Sequence, residues 1–202
     1  MNEIWLTENL TELCAALWQT LVRGVADGKS PLHTPVLTTL SHDGPNARVV
    51  VLRECSPPAR LLRCHTDARS PKVAEIQHHP VTSWLFYDAA RKIQIRLNGP
   101  TRIHCDDSLA LAAWHESRPS SRRCYLVTEA PGTPQDAPYS GLPAHLTARA
   151  PSVRESEPGW ANFAVIVAEI TSLDWLYLEA KGHRRAQFAW NGTGWDGTWV
   201  IP

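Results

Sequence analysis

Residues 34–54 read TPVLTTLSHDGPNARVVVLRE, a stretch that contains two runs rich in branched and other apolar residues. The runs, Val36–Leu40 and Ala47–Leu52, lie on either side of the dipeptide Asp43-Gly44. Branched side chains favour β-strands, and an Asp-Gly pair between two such runs favours a tight turn. The stretch therefore predicts an antiparallel hairpin, which is the first strand pair of a β-sheet.

Further strand candidates share a short length, branched or aromatic residues and flanking turn residues. They are RLLRCHT at 60–66, VTSWLFY at 81–87, KIQIRLNG at 92–99, FAVIVAEI at 163–170, DWLYLEA at 174–180, AQFAW at 186–190 and the closing hairpin NGTGWDGTWVIP at 191–202. In residues 92–99 apolar and polar side chains alternate, which predicts a strand with one apolar face and one polar face.

Helices are predicted at three places. Apolar residues repeat every three or four positions from Leu10 to Val25, which predicts an N-terminal amphipathic helix over about 7–28. A second helix begins at Ser70-Pro71, and a third occupies much of residues 106–119. With about eight antiparallel strands, these helices predict a mainly β fold with flanking helices, in which the sheet forms a closed or partly closed barrel.

Composition narrows the classes of function. The chain has 202 residues with 20 basic and 20 acidic side chains, so we expect a single domain over 1–202 that attracts neither nucleic acid nor an anionic membrane. Six prolines between Pro131 and Pro158 predict a long loop over about 129–159. Five cysteines without a C-x-x-C pattern predict reduced thiols. The lack of a signal peptide or an 18-residue apolar run predicts a cytoplasmic protein without a membrane partner.

Common catalytic motifs are missing from the sequence. The nine histidines are scattered, without H-x-x-x-H or H-E-x-x-H spacing, so no metal site is predicted. Neither G-x-S-x-G, a Walker loop nor a Rossmann glycine pattern occurs, which disfavours hydrolases, P-loop enzymes and the common dinucleotide domains.

Residues 65–76, HTDARSPKVAEI, predict an anion site instead. A serine can cap the first free N–H groups of a helix, and Pro71 at the first helical position leaves no N–H unpaired. Such a helix start attracts phosphate above other ligands. Lys72 is unfavourably placed for the dipole of its own helix, which indicates a bound anion, and Arg48 is a second cation at a strand end.

Five segments, taken in order, resemble the pyridoxamine 5′-phosphate oxidase-like family of FMN-binding split barrels. They are NARVVVLRE, HTDARSPKVAEI, KIQIRLNG, SRP and HRRAQFAWNGTGWDGTWVIP. The likeness runs from about residue 34 to the C-terminus and is nearest to the branch named for its FMN-binding domain, rather than to the vitamin B6 oxidases. It implies an antiparallel split β-barrel, a homodimer with FMN at the subunit interface, and a small-molecule substrate.

The resemblance also implies which residues bind FMN. The candidates are Arg48, Val49, Val50, Val51, Leu52, His65, Thr66, Ser70, Lys72, Gln94, Trp175 and Arg185. Arg48, Ser70 and Lys72 would hold the phosphate, with His65 and Thr66 beside the ribityl phosphate. Main-chain atoms of residues 49–52 would run along the isoalloxazine edge. Gln94 would hydrogen-bond the ring, which Arg185 would approach together with Trp175 or Leu176.

The substrate side of the site is implied in the same way. The candidates are Arg53, Trp114, Arg118, Arg122, Lys181 and His183. The catalytic residue is unknown, and Arg185 and His183 are the candidates beside the reacting face.

The sequence also departs from the B6 oxidases. Pro71 replaces a second phosphate-binding arginine, and residues 124–134 lack the glutamine-serine pair of those enzymes. Trp114 occupies the position of a tyrosine in the oxidases, and Arg122 occupies that of a serine. Lys181 and His183 occupy the positions of an arginine-x-histidine pair. We therefore predict an FMN-dependent oxidoreductase of a small organic substrate. A true pyridoxamine 5′-phosphate oxidase and a flavin-binding or sensing module without turnover remain alternatives, and a nucleic-acid-binding barrel is disfavoured.

Overall fold

The computed structural model describes residues 3–202, and within them the chain forms ten strands. The strands are β1 Val36–Ser41, β2 Gly44–Val49, β3 Leu52–Ser56, β4 Leu61–Asp67, β5 Val81–Asp88, β6 Ile93–His104, β7 Phe163–Glu169, β8 Ser172–Tyr177, β9 Arg184–Trp190 and β10 Trp195–Val200. The predicted hairpin is confirmed as β1 and β2. The run Ala47–Leu52 was predicted as one strand, but it divides between β2, which pairs with β1 as far as Val49, and β3, which pairs with β4 from Leu52.

Five α-helices occur in the same residues. They are α1 Leu10–Ala26, α2 Pro71–His78, α3 Ser108–Glu116, α4 Pro119–Arg122 and α5 Val153–Ser156. Short 3₁₀ turns are Glu3–Leu6, Pro31–His33, Arg123–Leu126, Ala144–Leu146 and Glu157–Asn162. The N-terminal helix is shorter than the predicted 7–28, because the Asn9 side chain accepts the N–H groups of Thr11 and Glu12 and so caps α1 at Leu10.

The sheet is antiparallel and divides at β6. One part has the order β10-β9-β8-β6-β5-β1-β2, and the other adds β7, β4 and β3 to the same strand. Residues 93–98 of β6 pair with β8, whereas residues 101–104 pair with β7. The change falls at Gly99, where a Cβ would overlap the carbonyl oxygen of Glu169, so a side chain does not fit.

This arrangement confirms the predicted fold class, a mainly β fold with flanking helices and a split antiparallel barrel. The sheet is not closed, since in residues 3–202 the strands β2, β3 and β10 each pair along one edge.

The main core lies between α1 and the apolar face of the sheet. Leu13, Leu17 and Leu21 of α1 are buried in the same cluster as Trp84 and Ile95. A second, smaller cluster joins α3 to β7. Burial of this kind supplies most of the stability of α1, since a helix of this length is marginal alone.

The proline-rich residues 129–159 are mostly irregular, as predicted, and contain the 3₁₀ turn Ala144–Leu146, α5 and the start of the 3₁₀ turn Glu157–Asn162. The Arg69 side chain donates to the carbonyls of Val127 and Thr128, which ties the start of this segment to the loop before α2. None of the helices in residues 3–202 has the length and apolarity to cross a membrane.

Candidate functional site

The loop from β4 into α2 brings together three residues that the sequence assigned to the phosphate. Lys72 Nζ lies 2.6 Å from Ser70 Oγ and 3.1 Å from Thr66 Oγ1, and both hydroxyl-bearing side chains are buried. Ser70 occupies the N-cap position of α2 but makes no side-chain capping bond. We call Arg48, Thr66, Ser70 and Lys72 the phosphate cradle.

Electrostatics in the cradle favour an anion. Burial lowers the pKa of Lys72, and the nearby Arg48 charge acts in the same direction. Of the ion pairs found in residues 3–202, none involves Lys72; the neighbours of its ammonium are two neutral hydroxyls. A half-buried ammonium without a carboxylate at ion-pair distance fits a phosphate, whose oxygens accept charge-assisted hydrogen bonds.

Arg48 is attached to the same helix through a carboxylate that the sequence analysis did not single out. Its guanidinium donates to Thr39 Oγ1 and to Glu75 Oε2, the latter at 3.0 Å. Burial opposes ionisation of Glu75, but hydrogen bonds from Thr39, Asn46 and Arg48 outweigh it and hold the pKa of Glu75 below its usual range. No local pattern in the sequence signals this contact, because Arg48 and Glu75 are 27 positions apart in the chain.

Residues 49–52 connect the two parts of the sheet beside the cradle. Val49 ends β2 and is exposed, Val50 and Val51 are half-buried between strands, and Leu52 is buried at the start of β3. The main chain of Val51 lies outside the ladders of residues 3–202.

Gln94 and Arg185 lie in one row across the open polar face of the sheet. Gln94 on β6 is opposite Leu176 on β8, and Leu176 is opposite Arg185 on β9. Directly opposed residues of antiparallel strands place their side chains on the same face. The structure therefore places Gln94, Leu176 and Arg185 side by side on one face of the sheet.

Trp175 is placed elsewhere. It is 0% exposed, on the core face of β8, and its ring packs near Trp5, Tyr177 and Trp199. Neighbouring strand residues point to opposite faces, so the register that exposes Leu176 buries Trp175. Of the two residues predicted to accompany Arg185, Leu176 is the one on the open face.

His65 and Thr66 also point to opposite faces of their strand. Thr66 joins the cradle, whereas His65 lines a separate cavity of about 320 Å³. We call it the Arg53 cavity, and its lining residues are Arg53, Arg63, His65, Ala113, Glu116, Ser117, Arg118 and Ser121. Burial, followed by the charges of Arg53 and Arg63, lowers the pKa of His65 to about 3, so the ring is neutral at pH 7.

This cavity contains two of the predicted substrate residues, Arg53 and Arg118, together with residues that sequence reasoning missed. Arg63 projects into it from β4 and is held by Glu54 at 3.1 Å and Glu116 at 3.4 Å. Three guanidinium groups and one carboxylate therefore line the cavity, which gives it an excess of positive charge. The alternation of Arg63 and His65 along β4 was the signal that could have indicated a shared face.

Trp114 and Arg122, which the resemblance assigned to substrate binding, do not line this cavity. Arg122 is 4% exposed, and its guanidinium donates to the Trp114 carbonyl at 2.7 and 3.1 Å and to Glu157 at 3.0 Å. The same guanidinium lies over the Trp114 ring at 4.5 Å. Both side chains are bound in the second core cluster, because short helix α4 turns Arg122 inward.

Lys181 and His183 are exposed in the turn between β8 and β9. The Arg53 cavity is lined by residues of β3, β4, α3, α4 and the segment between these two helices. Within one chain, the turn that carries Lys181 and His183 therefore does not line this cavity. Within residues 3–202 no cluster of three or more His, Cys, Asp or Glu side chains is arranged to hold a metal ion.

Comparison with known proteins gives a family match and a close fold match. Residues 15–105 match the family model described as pyridoxamine 5′-phosphate oxidase, FMN-binding domain. Pyridoxine/pyridoxamine 5′-phosphate oxidase 2 of Arabidopsis thaliana is 27% identical over 190 residues, which cover 89% of this chain and 91% of that protein.

Two solved structures show the same fold. A pyridoxamine 5′-phosphate oxidase-related, FMN-binding protein from Nostoc punctiforme has a TM-score of 0.73 at 21% identity, covering 93% of this chain and 96% of its own. PhzG from Burkholderia lata, solved with tetrahydrophenazine-1-carboxylic acid, has a TM-score of 0.68 at 16% identity, covering 94% and 92%.

Proposed function

We propose that the protein is an FMN-dependent oxidoreductase of a small organic substrate, on the premise that residues 15–105 match the model of the pyridoxamine 5′-phosphate oxidase, FMN-binding domain. The family match confirms the predicted resemblance and names FMN as the cofactor of the domain. The structural observation that supports the proposal is the ammonium of Lys72, which faces two hydroxyls and lacks a carboxylate partner in residues 3–202.

The phosphate cradle would bind the FMN phosphate. Lys72 and Arg48 would supply positive charge, and the Thr66 and Ser70 hydroxyls can donate to phosphate oxygens. Glu75 would hold the guanidinium of Arg48 beside α2, since its carboxylate already accepts a hydrogen bond from that group. His65 is left out of this set, because it lines the Arg53 cavity instead.

The flavin ring would lie over the row of Gln94, Leu176 and Arg185. Gln94 and Arg185 offer donors at its edges, and the main chain of residues 49–52 offers further N–H and C=O groups. Bound FMN supplies hydride and electron transfer, while the protein orients the substrate and excludes water. The Arg53 cavity, with Arg118, would hold an anionic group of that substrate.

We propose further that the protein forms one domain over residues 1–202, acts in the cytoplasm and works as a homodimer. Lys181 and His183 are exposed and distant in the chain from the residues of the Arg53 cavity. A second copy related by a two-fold axis could bring the β8–β9 turn, and with it the catalytic candidate His183, to a site that one chain leaves incomplete.

Pyridoxamine 5′-phosphate oxidation is the second candidate. It is favoured by the 27% identity to the Arabidopsis oxidase and by Arg53 and Arg118 in one cavity. The differences from the oxidases at Trp114 and Arg122 disfavour it, because both side chains are buried in the interior and do not line the cavity. A non-catalytic flavin module would bind FMN without turnover.

The absorption spectrum of the purified protein tests the proposal. We expect bands of oxidised flavin that stay with the protein on gel filtration, and reduction of those bands by a substrate under anaerobic conditions. Flavin that separates from the protein at micromolar concentration would contradict FMN binding. Bound flavin that a chemical reductant reduces, but that no organic substrate reduces, would favour the non-catalytic module.

A further inference from the structure

The carboxylate of Asp174 collects side-chain donors from two neighbouring strands. Asp174 on β8 is 7% exposed and lies opposite Arg96 on β6 and Gln187 on β9. Its Oδ2 atom accepts from Arg96 Nη2, Arg185 Nη2 and Gln187 Nε2, each at 2.8 Å. Its Oδ1 atom accepts from Arg185 Nε at 3.2 Å. The row next to Gln94, Leu176 and Arg185 is therefore organised around one buried carboxylate.

Arg185 is held at two points by this carboxylate. Its Nε and Nη2 atoms both bond Asp174, and Nη1 makes no hydrogen bond within residues 3–202. A two-point contact fixes the plane of a guanidinium, because rotation about its last bonds would break one of the two hydrogen bonds. The remaining nitrogen is directed away from Asp174 and is available to a ligand on the open face.

The cluster of Arg96, Asp174 and Arg185 carries one uncompensated positive charge. Arg96 and Arg185 carry two positive charges and Asp174 one negative charge, so the group has a net charge of +1. Burial alone would raise the pKa of Asp174, but the donors Arg185, Gln187 and Arg96 lower it overall, and the pKa of Arg185 is raised by the same contact. The pair is thus fully ionised at neutral pH.

We propose that Asp174 is a positioning residue for FMN, which acts by fixing the guanidinium of Arg185 against the flavin ring. The inference rests on the proposed function, which places Arg185 beside that ring. Family resemblance pointed to Arg185 alone; the part played by Asp174 comes from the strand register and the hydrogen bonds to its carboxylate.

A merely structural role for Asp174 makes a different prediction, and Arg96 is the matched control. Arg96 bonds the same Oδ2 atom at the same 2.8 Å distance as Arg185. Loss of Arg96 removes one hydrogen bond from Asp174, and loss of Arg185 removes those made by both Nε and Nη2. A purely structural cluster would therefore respond to both Arg96→Gln and Arg185→Gln. A positioning role confines the effect on FMN to Arg185.

The test is a double-mutant cycle read by FMN titration and by the visible absorption and circular dichroism bands of bound FMN. We expect Asp174→Asn to raise the FMN dissociation constant about tenfold, the scale of one hydrogen bond to a charged group. Asp174→Asn should change the bands as Arg185→Gln does, and should add less than about twofold to the dissociation constant of Arg185→Gln. Arg96→Gln should keep wild-type bands and affinity.

Arg185→Lys covers the case in which Asp174→Asn does not fold. It keeps the positive charge at a partly exposed position but loses the two-point contact, so it should weaken FMN binding about as much as Asp174→Asn. Wild-type protein that fails to bind FMN would refute the proposed function and this inference together. Wild-type binding with unchanged affinity and bands in Asp174→Asn or Arg185→Lys, or additive effects in the cycle, would overturn the inference alone.

Discussion

Lys72 Nζ lies 2.6 Å from Ser70 Oγ, and this contact occupies the hydroxyl that the sequence assigned to capping α2. Pro71, at the first position of the helix, has no N–H, and the Val73 N–H donates to the Ser70 carbonyl at 2.9 Å rather than to its side chain. The serine is therefore free to line the cradle together with Thr66. The start of α2 therefore brings the Lys72 ammonium together with the hydroxyls of Thr66 and Ser70.

The first prediction concerns the phosphate cradle. Arg48→Ala and Lys72→Ala should each weaken FMN binding by about ten- to a hundredfold, equivalent to roughly 1.5–3 kcal/mol for a lost charged hydrogen bond. Isothermal titration calorimetry measures the change. Lys29→Ala, which removes an exposed cation from the segment after α1, is the control and should bind as the wild type does. Unchanged FMN affinity in both cradle variants would show that FMN does not bind at the cradle.

The second prediction separates two arginines that the sequence treated alike. Arg122→Ala should lower the free energy of unfolding by about 2–4 kcal/mol, because it leaves the Trp114 carbonyl and the Ser156 hydroxyl without their buried donor. Arg118→Ala, at an exposed position, should change it by less than about 0.5 kcal/mol. Urea unfolding of the two variants measures both values, and equal losses would argue against the structural role of Arg122.

The third prediction is a pH dependence due to His65. Its folded pKa of about 3 lies below the ordinary value of 6.5, so as pH falls the unfolded chain takes up the proton first. The stability that neutral His65 allows is present above pH 6.5 and is lost progressively toward pH 3. Between pH 6.5 and 4.5 the loss from this group should be roughly 2–3 kcal/mol, at about 1.4 kcal/mol per pKa unit.

Urea unfolding at a series of pH values measures this loss. His65→Gln should flatten the curve of stability against pH in this window, and His42→Gln, at a fully exposed side chain, should not. A His65→Gln curve parallel to that of the wild type would show that His65 does not cause the acid sensitivity.

The fourth prediction is a homodimer that covers the open face of the sheet. Val49 and Tyr87 expose 65% and 50% of their surface there, and exposed apolar side chains that form a patch mark protein–protein interaction sites. Light scattering should give twice the chain mass of 22.5 kDa. Val49→Glu should shift the protein toward the monomer, and Leu111→Glu on α3 should leave the mass unchanged. A wild-type monomer with bound FMN would refute the dimer.

The fifth prediction is slow oxidation of pyridoxamine 5′-phosphate. Of the predicted substrate residues, Arg53 and Arg118 line the cavity, but Trp114 and Arg122 are bound in the interior. Sites that lack one polar partner discriminate by as much as roughly 10⁴-fold, so turnover should suffer more than charge alone suggests. A steady-state assay of hydrogen peroxide should give kcat/KM below about 10⁴ M⁻¹s⁻¹, and a higher value would establish the oxidase alternative.

Much of the fold could be read from local patterns. The alternation in residues 92–99 predicted β6, and the residues Ser70-Pro71 predicted the start of α2, because both depend on neighbours in the chain. Trp175 shows the limit of such reading. An aromatic residue in a β-rich run fits either face of a sheet, and the pairing of β8 with β6 decides that it packs in the core.

The sequence by itself determined most of the strands, the helix at Ser70 and the family likeness, all of which depend on residue type and short spacing. The tertiary structure alone decided that Arg48 bonds Glu75, that Arg63 shares a cavity with Arg118, and that Asp174 holds Arg185. These contacts join residues that are far apart in the chain. Their partners follow from strand register and helix packing, where a shift of one residue turns a side chain from the surface to the core.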